Sequence, residues 1–171
     1  MPEIVELPDR PYVGVRGAIT MNTIPVVADR IGEIAGWLLG RGAAIAGAPF
    51  LRYESFDTEG DGLVMQAGVP VAGPVEVEGD YFAAVLPAGR YATLTHRGHF
   101  DGLVEATRVL LAWGEEQGLK WDMTEGDGAE HWGCRLEVYN TDPPRRERPR
   151  QLPHRPPVPP VLTTRPAVRG T

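Results

Sequence analysis

Pro49-Phe-Leu-Arg-Tyr-Glu-Ser-Phe-Asp57 and Leu63-Val-Met-Gln-Ala-Gly-Val-Pro-Val71, joined through Glu59-Gly60-Asp61-Gly62, read as two strands with a turn between them. Both runs are rich in β-branched and aromatic residues, and the Gly-Asp-Gly stretch supplies the backbone freedom a hairpin connection needs. Working back along the chain, residues 22–39 place Ile24, Val27, Ile31, Ile34 and Leu38 at spacings of three and four, the mark of one helix face. Asn22 stands where a cap is expected, and Gly40 and Gly42 follow the last apolar position. Ahead of this helix, Ile4 to Leu7 and Tyr12 to Ile19 read as short strands, punctuated by Pro8 and Pro11, so that the chain opens like a hairpin.

The same order returns further on. Strand candidates at Tyr81 to Leu86 and Tyr91 to His96 flank the turn Pro87-Ala88-Gly89-Arg90. A second amphipathic helix runs from about Asp101 to Gln117, with Leu103, Ala106, Leu110 and Trp113 on one stripe and Gly118 at its end. A polar, glycine-rich loop at 122–130 then leads into a strand at 131–140. Landmarks recur in step: Tyr12 with Tyr91, Trp37 with Trp113, Gly42 with Gly118, and Tyr53 with Tyr139. This predicts an α+β fold in which one order of strand, helix and strand is duplicated over about 1–73 and 74–142. The strands form an antiparallel sheet with two helices on one face, and two such units side by side leave a ligand cleft between the halves.

The 171 residues suit one domain, 42% of them hydrophobic and 23% charged. No apolar run reaches membrane-spanning length, and the start Met-Pro-Glu-Ile-Val-Glu lacks the basic and apolar order of a secretory signal. With Cys134 as the sole cysteine no internal disulfide can form, and a cytoplasmic location is expected. The net charge of −6 is uneven. Seven arginines and one acid, Glu147, put +6 on residues 143–171, which leaves −12 on the preceding 142. An acidic body is a poor partner for a phosphate backbone, so direct nucleic-acid binding by the folded part is not expected; a hydrophobic or cationic small molecule suits it better.

Three separated stretches carry a family resemblance: Gly68-Val-Pro-Val-Ala; Val85-Leu-Pro-Ala-Gly-Arg-Tyr-Ala-Thr-Leu-Thr-His-Arg-Gly-His-Phe-Asp-Gly-Leu; and, after Trp113, Leu136-Glu-Val-Tyr-Asn-Thr-Asp-Pro. In this order they resemble the GyrI-like small-molecule-binding family, related to the effector-binding domains of AraC-type and MerR-type regulators, over about residues 2–143. The resemblance implies a pseudo-twofold duplication of a β-α-β-β unit with an acidic, aromatic-lined cleft that accepts hydrophobic, cationic or planar aromatic compounds. Because the pattern starts almost at Met1, with no room for a helix-turn-helix module before it, a free-standing member is expected.

Within that frame Glu137 is the principal candidate. Period-two alternation puts it on one strand face with Arg135 and Tyr139, and the resemblance implies a pocket carboxylate at this position. A desolvated carboxylate among aromatics attracts a cation or activates a water; the alternatives are an ion pair with Arg135 or a solvated edge. Tyr139 is placed to orient Glu137. Tyr53, Phe56, Met65 and Trp132 are candidates for the cleft walls, each equally readable as core. Phe100 stands where relatives often carry tyrosine, which removes a hydroxyl contact. Trp37 and Trp113 belong to buried helix stripes.

His96 and His99 are three apart, but Cys134 has no partner cysteine and no three- or four-ligand set emerges, so no metal is expected. No nucleophile elbow and no phosphate-cradling loop is present, and no cofactor is expected. Residues 143–171, with nine prolines, are expected to form a disordered or extended tail, with Val158, Val161 and Leu162 offering at most a short edge strand. The last strand of the second sheet would then be missing, which favours a homodimer or partner chain over the open edge. The resemblance implies three functions for a free-standing member: a binder that senses or sequesters drugs or toxins, a hydrolase of cyclopropane-bearing genotoxins with Glu137 as base and Tyr139 as its helper, and a protein inhibitor of DNA gyrase.

Overall fold

The computed structural model describes residues 1–96, 102–139 and the backbone of 160–164. The described strands are β1 (Glu3–Leu7), β2 (Arg10–Thr20), β3 (Phe50–Asp57), β4 (Gly62–Pro70), β5 (Phe82–Leu86), β6 (Gly89–Thr95), β7 (Met123–Gly126), β8 (Ala129–Trp132), β9 (Arg135–Tyr139) and β10 (Pro160–Thr164). Helices α1 (Pro25–Ala28) and α2 (Arg30–Gly40) lie between β2 and β3, and α3 (Leu103–Glu116) lies between β6 and β7. The fold is α+β, as the pattern predicts. No helix among the described residues is long and apolar enough to cross a membrane.

The strands form one antiparallel sheet in the order β1-β6-β10-β9-β3-β4-β2-β5, with the β7–β8 hairpin attached to β3. From the central β9–β3 pair the order is similar in both directions once the β7–β8 hairpin, which intervenes between α3 and β9, is set aside: a strand that follows a helix, the next strand, then the strand before that helix. The outermost strand on each side is exchanged. β1 pairs with β6 and β5 pairs with β2, so neither expected hairpin forms, neither the one at the start of the chain nor the one around Pro87 to Arg90. The two sides of the sheet therefore do not coincide with residues 1–73 and 74–142.

β10 also changes the expected picture. It pairs with β6 on one side and β9 on the other, so residues 160–164 are an interior strand and not part of an unstructured tail. They fill the place whose vacancy would have called for a covering partner chain. Val158 lies outside the described residues.

The helix before β3 starts later than expected. Ile24 is its N-cap with Pro25 at the first helical position, Thr23 bonds back to Thr20 instead, and Asp29 alone separates α1 from α2. Eleven residues are too few for α2 to persist alone in water. Its buried Ile34 and Leu38, with Val27 of α1, pack on Val13, Val15, Met65, Ala67 and Val69 of β2 and β4. Leu103, Ala106 and Leu110 of α3 do the same against Ala92 of β6. Each such side chain stabilises the fold by roughly 1.5–3 kcal/mol when fully buried. On the opposite face Tyr12, Phe50, Leu86, Tyr91 and Leu136 form a separate cluster, joined by Val5 and Leu7 of β1 and Phe82 and Ala84 of β5. Its two outermost strands meet in one cluster because the sheet is curled.

Candidate functional site

Between α3 and the central strands lies a cleft of about 480 Å³, within the range of small-molecule sites. Tyr53 and Phe56 of β3 and Arg135 and Glu137 of β9 line its sheet side. Leu103, Thr107, Leu110 and Leu111 line it from α3, and Met21 lines it from the β2–α1 connection. A backbone irregularity builds this floor. Spaced three apart, Tyr53 and Phe56 would fall on opposite faces of a regular strand. A β-bulge between Tyr53 and Ser55 inserts one residue, and the two rings stack 13° from parallel with centroids 5.4 Å apart. At the same bulge β3 changes partner from β9 to β8.

Glu137 sits in the middle of the sheet, opposite Leu51 of β3 and Leu162 of β10. Alternation sends its neighbours Leu136 and Val138 into the core of the other face. Its Oε2 accepts a 2.9 Å hydrogen bond from the Tyr139 hydroxyl, and the nearby Tyr53 phenol also favours the charged form of the carboxylate. Burial pushes the Glu137 carboxyl up, against the Tyr139 and Tyr53 phenols and the charge of Arg135, which favour ionisation. Both phenols are in turn pushed up by burial and by the neighbouring carboxylate. Glu137 is thus a proton-hungry carboxyl held in a fixed orientation, able to bind a donor or to accept a proton from one.

Arg135 lies over the rings of Phe56 and Trp132, its guanidinium carbon 4.7 Å from each centroid, well inside cation–π range. Burial lowers its proton affinity, while Tyr53, Glu130 and Glu137 act on it through space without a hydrogen bond. Among the described residues Arg135 and Glu137 are not joined as an ion pair, although one strand face carries both. Among the described residues the charged lining is Arg108, Arg135, Glu115 and Glu137. Two of each sign make this described lining balanced in formal charge, where the resemblance implies an acidic cleft.

Of the residues singled out from sequence, Tyr53, Phe56 and Glu137 line the cleft. Tyr139 reaches it only through its bond to Glu137, and Trp132, 8% exposed, only through Arg135. Met65 does not reach it: fully buried, it packs under α2 in the core. Phe100 and His99 lie outside the described residues. Trp37 and Trp113 pack against the two helix-side cores and do not line the cleft. No group of three or more metal-binding side chains comes together among the described residues. The α3 wall and Met21 escape sequence reading because apolar stripes predict which helix positions are buried, not which border a cavity.

A family model for the GyrI-like small molecule binding domain matches residues 1–147. Sequence comparison with curated proteins gives no match. Among solved structures, the EcmrR C-terminal domain is similar with a TM-score of 0.70 at 16% identity, over 98% of this chain and 97% of that one. EcmrR in a DNA complex is similar with a TM-score of 0.68 at 15% identity, over 96% of this chain and 56% of that one, so the chain spans about half of that protein. A hydrolase from Listeria innocua is similar with a TM-score of 0.55 at 13% identity, over 97% and 91% of the two chains. Identities this low establish a shared fold and nothing about chemistry.

Proposed function

The chain belongs to the GyrI-like small-molecule-binding domain family, and on that footing we propose that the α3 cleft takes planar, largely apolar aromatic compounds and anchors them through Glu137. One observation carries this reading: a half-buried carboxyl that accepts the Tyr139 hydroxyl at the floor of an apolar cleft beside two stacked rings, one of them Tyr53. The stack and the α3 leucines offer a flat apolar ligand two surfaces, and Glu137 supplies one directional bond. The protein then acts as a drug or toxin binder in a cytoplasmic setting. Its folded unit includes β10 and so extends beyond residue 142, and the like strand order on both sides supports a duplicated β-α-β-β ancestry.

The test is a thermal-shift series with three-ring aromatics on the wild type and Glu137→Gln. A ligand confined to the native state raises the melting temperature with its concentration over Kd. Shifts for the wild type that shrink in the variant support a Glu137-anchored cleft; equal shifts in both remove Glu137 from the site.

Hydrolysis is a second reading, favoured by the elevated proton affinity of Glu137 and its two phenol neighbours. The Listeria innocua neighbour bears the name hydrolase, and a base of this kind can direct a water at a strained ring such as a cyclopropane. Mass spectrometry of incubated cyclopropane-bearing ligands checks it. Addition of one water by the wild type but not by Glu137→Gln supports turnover, and intact ligand leaves a binder.

A further inference from the structure

In this cleft the place that would hold a ligand's cation is filled by the protein itself. Phe56 and Trp132 offer two π-faces, the arrangement that recognises organic cations, and the Arg135 guanidinium occupies both at 4.7 Å. Its position is backed from the sheet: Trp132 ends β8, Arg135 begins β9, and Phe56 is pinned by its stack on the buried Tyr53. A diffusible cation entering here must displace a tethered one or sit beside it, where like charges repel in a poorly hydrated space. The guanidinium also lacks a charge partner among the described residues. Among the described residues no carboxylate forms an ion pair with it, and its interactions with Glu130 and Glu137 run through space alone. A partly buried cation without a bound counter-charge is the feature that an incoming anionic group relieves.

We infer that Arg135 is a specificity-determining residue that excludes permanent cations from the cleft and selects planar aromatics bearing an anionic group. This rests on the α3 cleft being the ligand site. The aromatic body lies along Tyr53, Phe56 and the α3 leucines, and the anionic group meets the guanidinium N–H groups, which form planar, charge-assisted bonds to carboxylates.

Two three-ring probes of similar size separate charge from shape: 10-methylacridinium, a permanent cation, and anthracene-9-carboxylate, an anion. Their affinities for the wild-type chain and for Arg135→Gln are read by fluorescence titration. Wild type is expected to bind the carboxylate at least about tenfold more tightly than the acridinium. Arg135→Gln is expected to lose that preference, with the acridinium gaining about tenfold and the carboxylate weakening. Arg135→Lys, which keeps the charge, is expected to hold the wild-type order. Should Arg135→Gln not fold, Arg135→Met, which keeps an unbranched apolar chain between the two rings, is read in the same way. Equal affinity of both probes for the wild type, tighter acridinium binding, or an unchanged ratio in the neutral variant overturns the role of Arg135 while leaving the cleft as the ligand site. Binding of neither probe to any of these proteins overturns the cleft reading and this inference with it.

Discussion

The hydroxyl of Tyr139 donates to Oε2 of Glu137 across 2.9 Å, joining two side chains on the same face of β9. This bond favours the ionised carboxylate and opposes the burial that pushes Glu137 up. Tyr139→Phe removes the donor and leaves the ring. The Glu137 titration is then expected to move further upward, read as a carbon-13 carboxyl chemical shift against pH. Stability should fall by about 1.5–3 kcal/mol, as for a hydrogen bond to a charged group. A midpoint that stays put or moves down refutes the role given to Tyr139.

Glu137 also makes stability depend on pH. Its folded proton affinity lies above the ordinary carboxylate value of 4.5, so between that value and the raised folded midpoint the native state binds the proton more strongly than the unfolded chain. The contribution of the group is complete below the unfolded value and is lost as pH rises through the folded one. Glu137→Gln cannot ionise and escapes this loss. In urea denaturation the stability of the variant relative to wild type should rise as pH goes from about 4 to about 8. A difference that is flat or falls with pH would mean that the carboxyl is not buried in an unfavourable site.

Met65 tests where the cleft ends. It is fully buried beneath α2 with Val13, Ile34 and Leu38 and does not line the cleft, although it lies opposite the lining Tyr53 on the neighbouring strand. Met65→Ala should therefore cost about 2–5 kcal/mol of stability through lost contacts and the cavity left behind. Aromatic ligand affinity, measured below the lowered melting temperature, should remain within about threefold of wild type, a change of under 1 kcal/mol. A large loss of affinity with little loss of stability would return Met65 to the binding surface.

What sequence reveals here depends on distance along the chain. The helix stripes and the β3–β4 hairpin are legible because their signals lie within a few residues. The pairing of β1 with β6 and of β5 with β2 is not, since an alternating pattern says that a strand has a buried face and never names its neighbour. At the site, the shared face of Arg135, Glu137 and Tyr139 follows from period two. The stack of Tyr53 on Phe56 does not, because the bulge breaks that period. The ion pair open to Arg135 and Glu137 is replaced by two aromatic contacts, one of them to Phe56, 79 positions earlier in the chain. The β7–β8 hairpin was hidden by its glycines and acids, which read as a loop.

β10 offers the strictest test of the architecture, because proline-rich sequence argues for an edge or no strand, whereas the sheet places it inside. Leu162 lies opposite Leu94 of β6 and Glu137 of β9. A proline at this position removes a ladder N–H in a strand with partners on both sides, where no water can replace it easily. Leu162→Pro is expected to destabilise the fold by at least about 1–3 kcal/mol, the cost of one buried unsatisfied group. Were 160–164 peripheral, the melting temperature would not change. The consequence for binding follows from the same pairing. β10 is the support on one flank of the strand that carries Arg135, Glu137 and Tyr139, so loosening it should weaken aromatic ligands well below the melting transition. A variant that melts early yet binds as wild type would mean that β3 alone holds β9 in place.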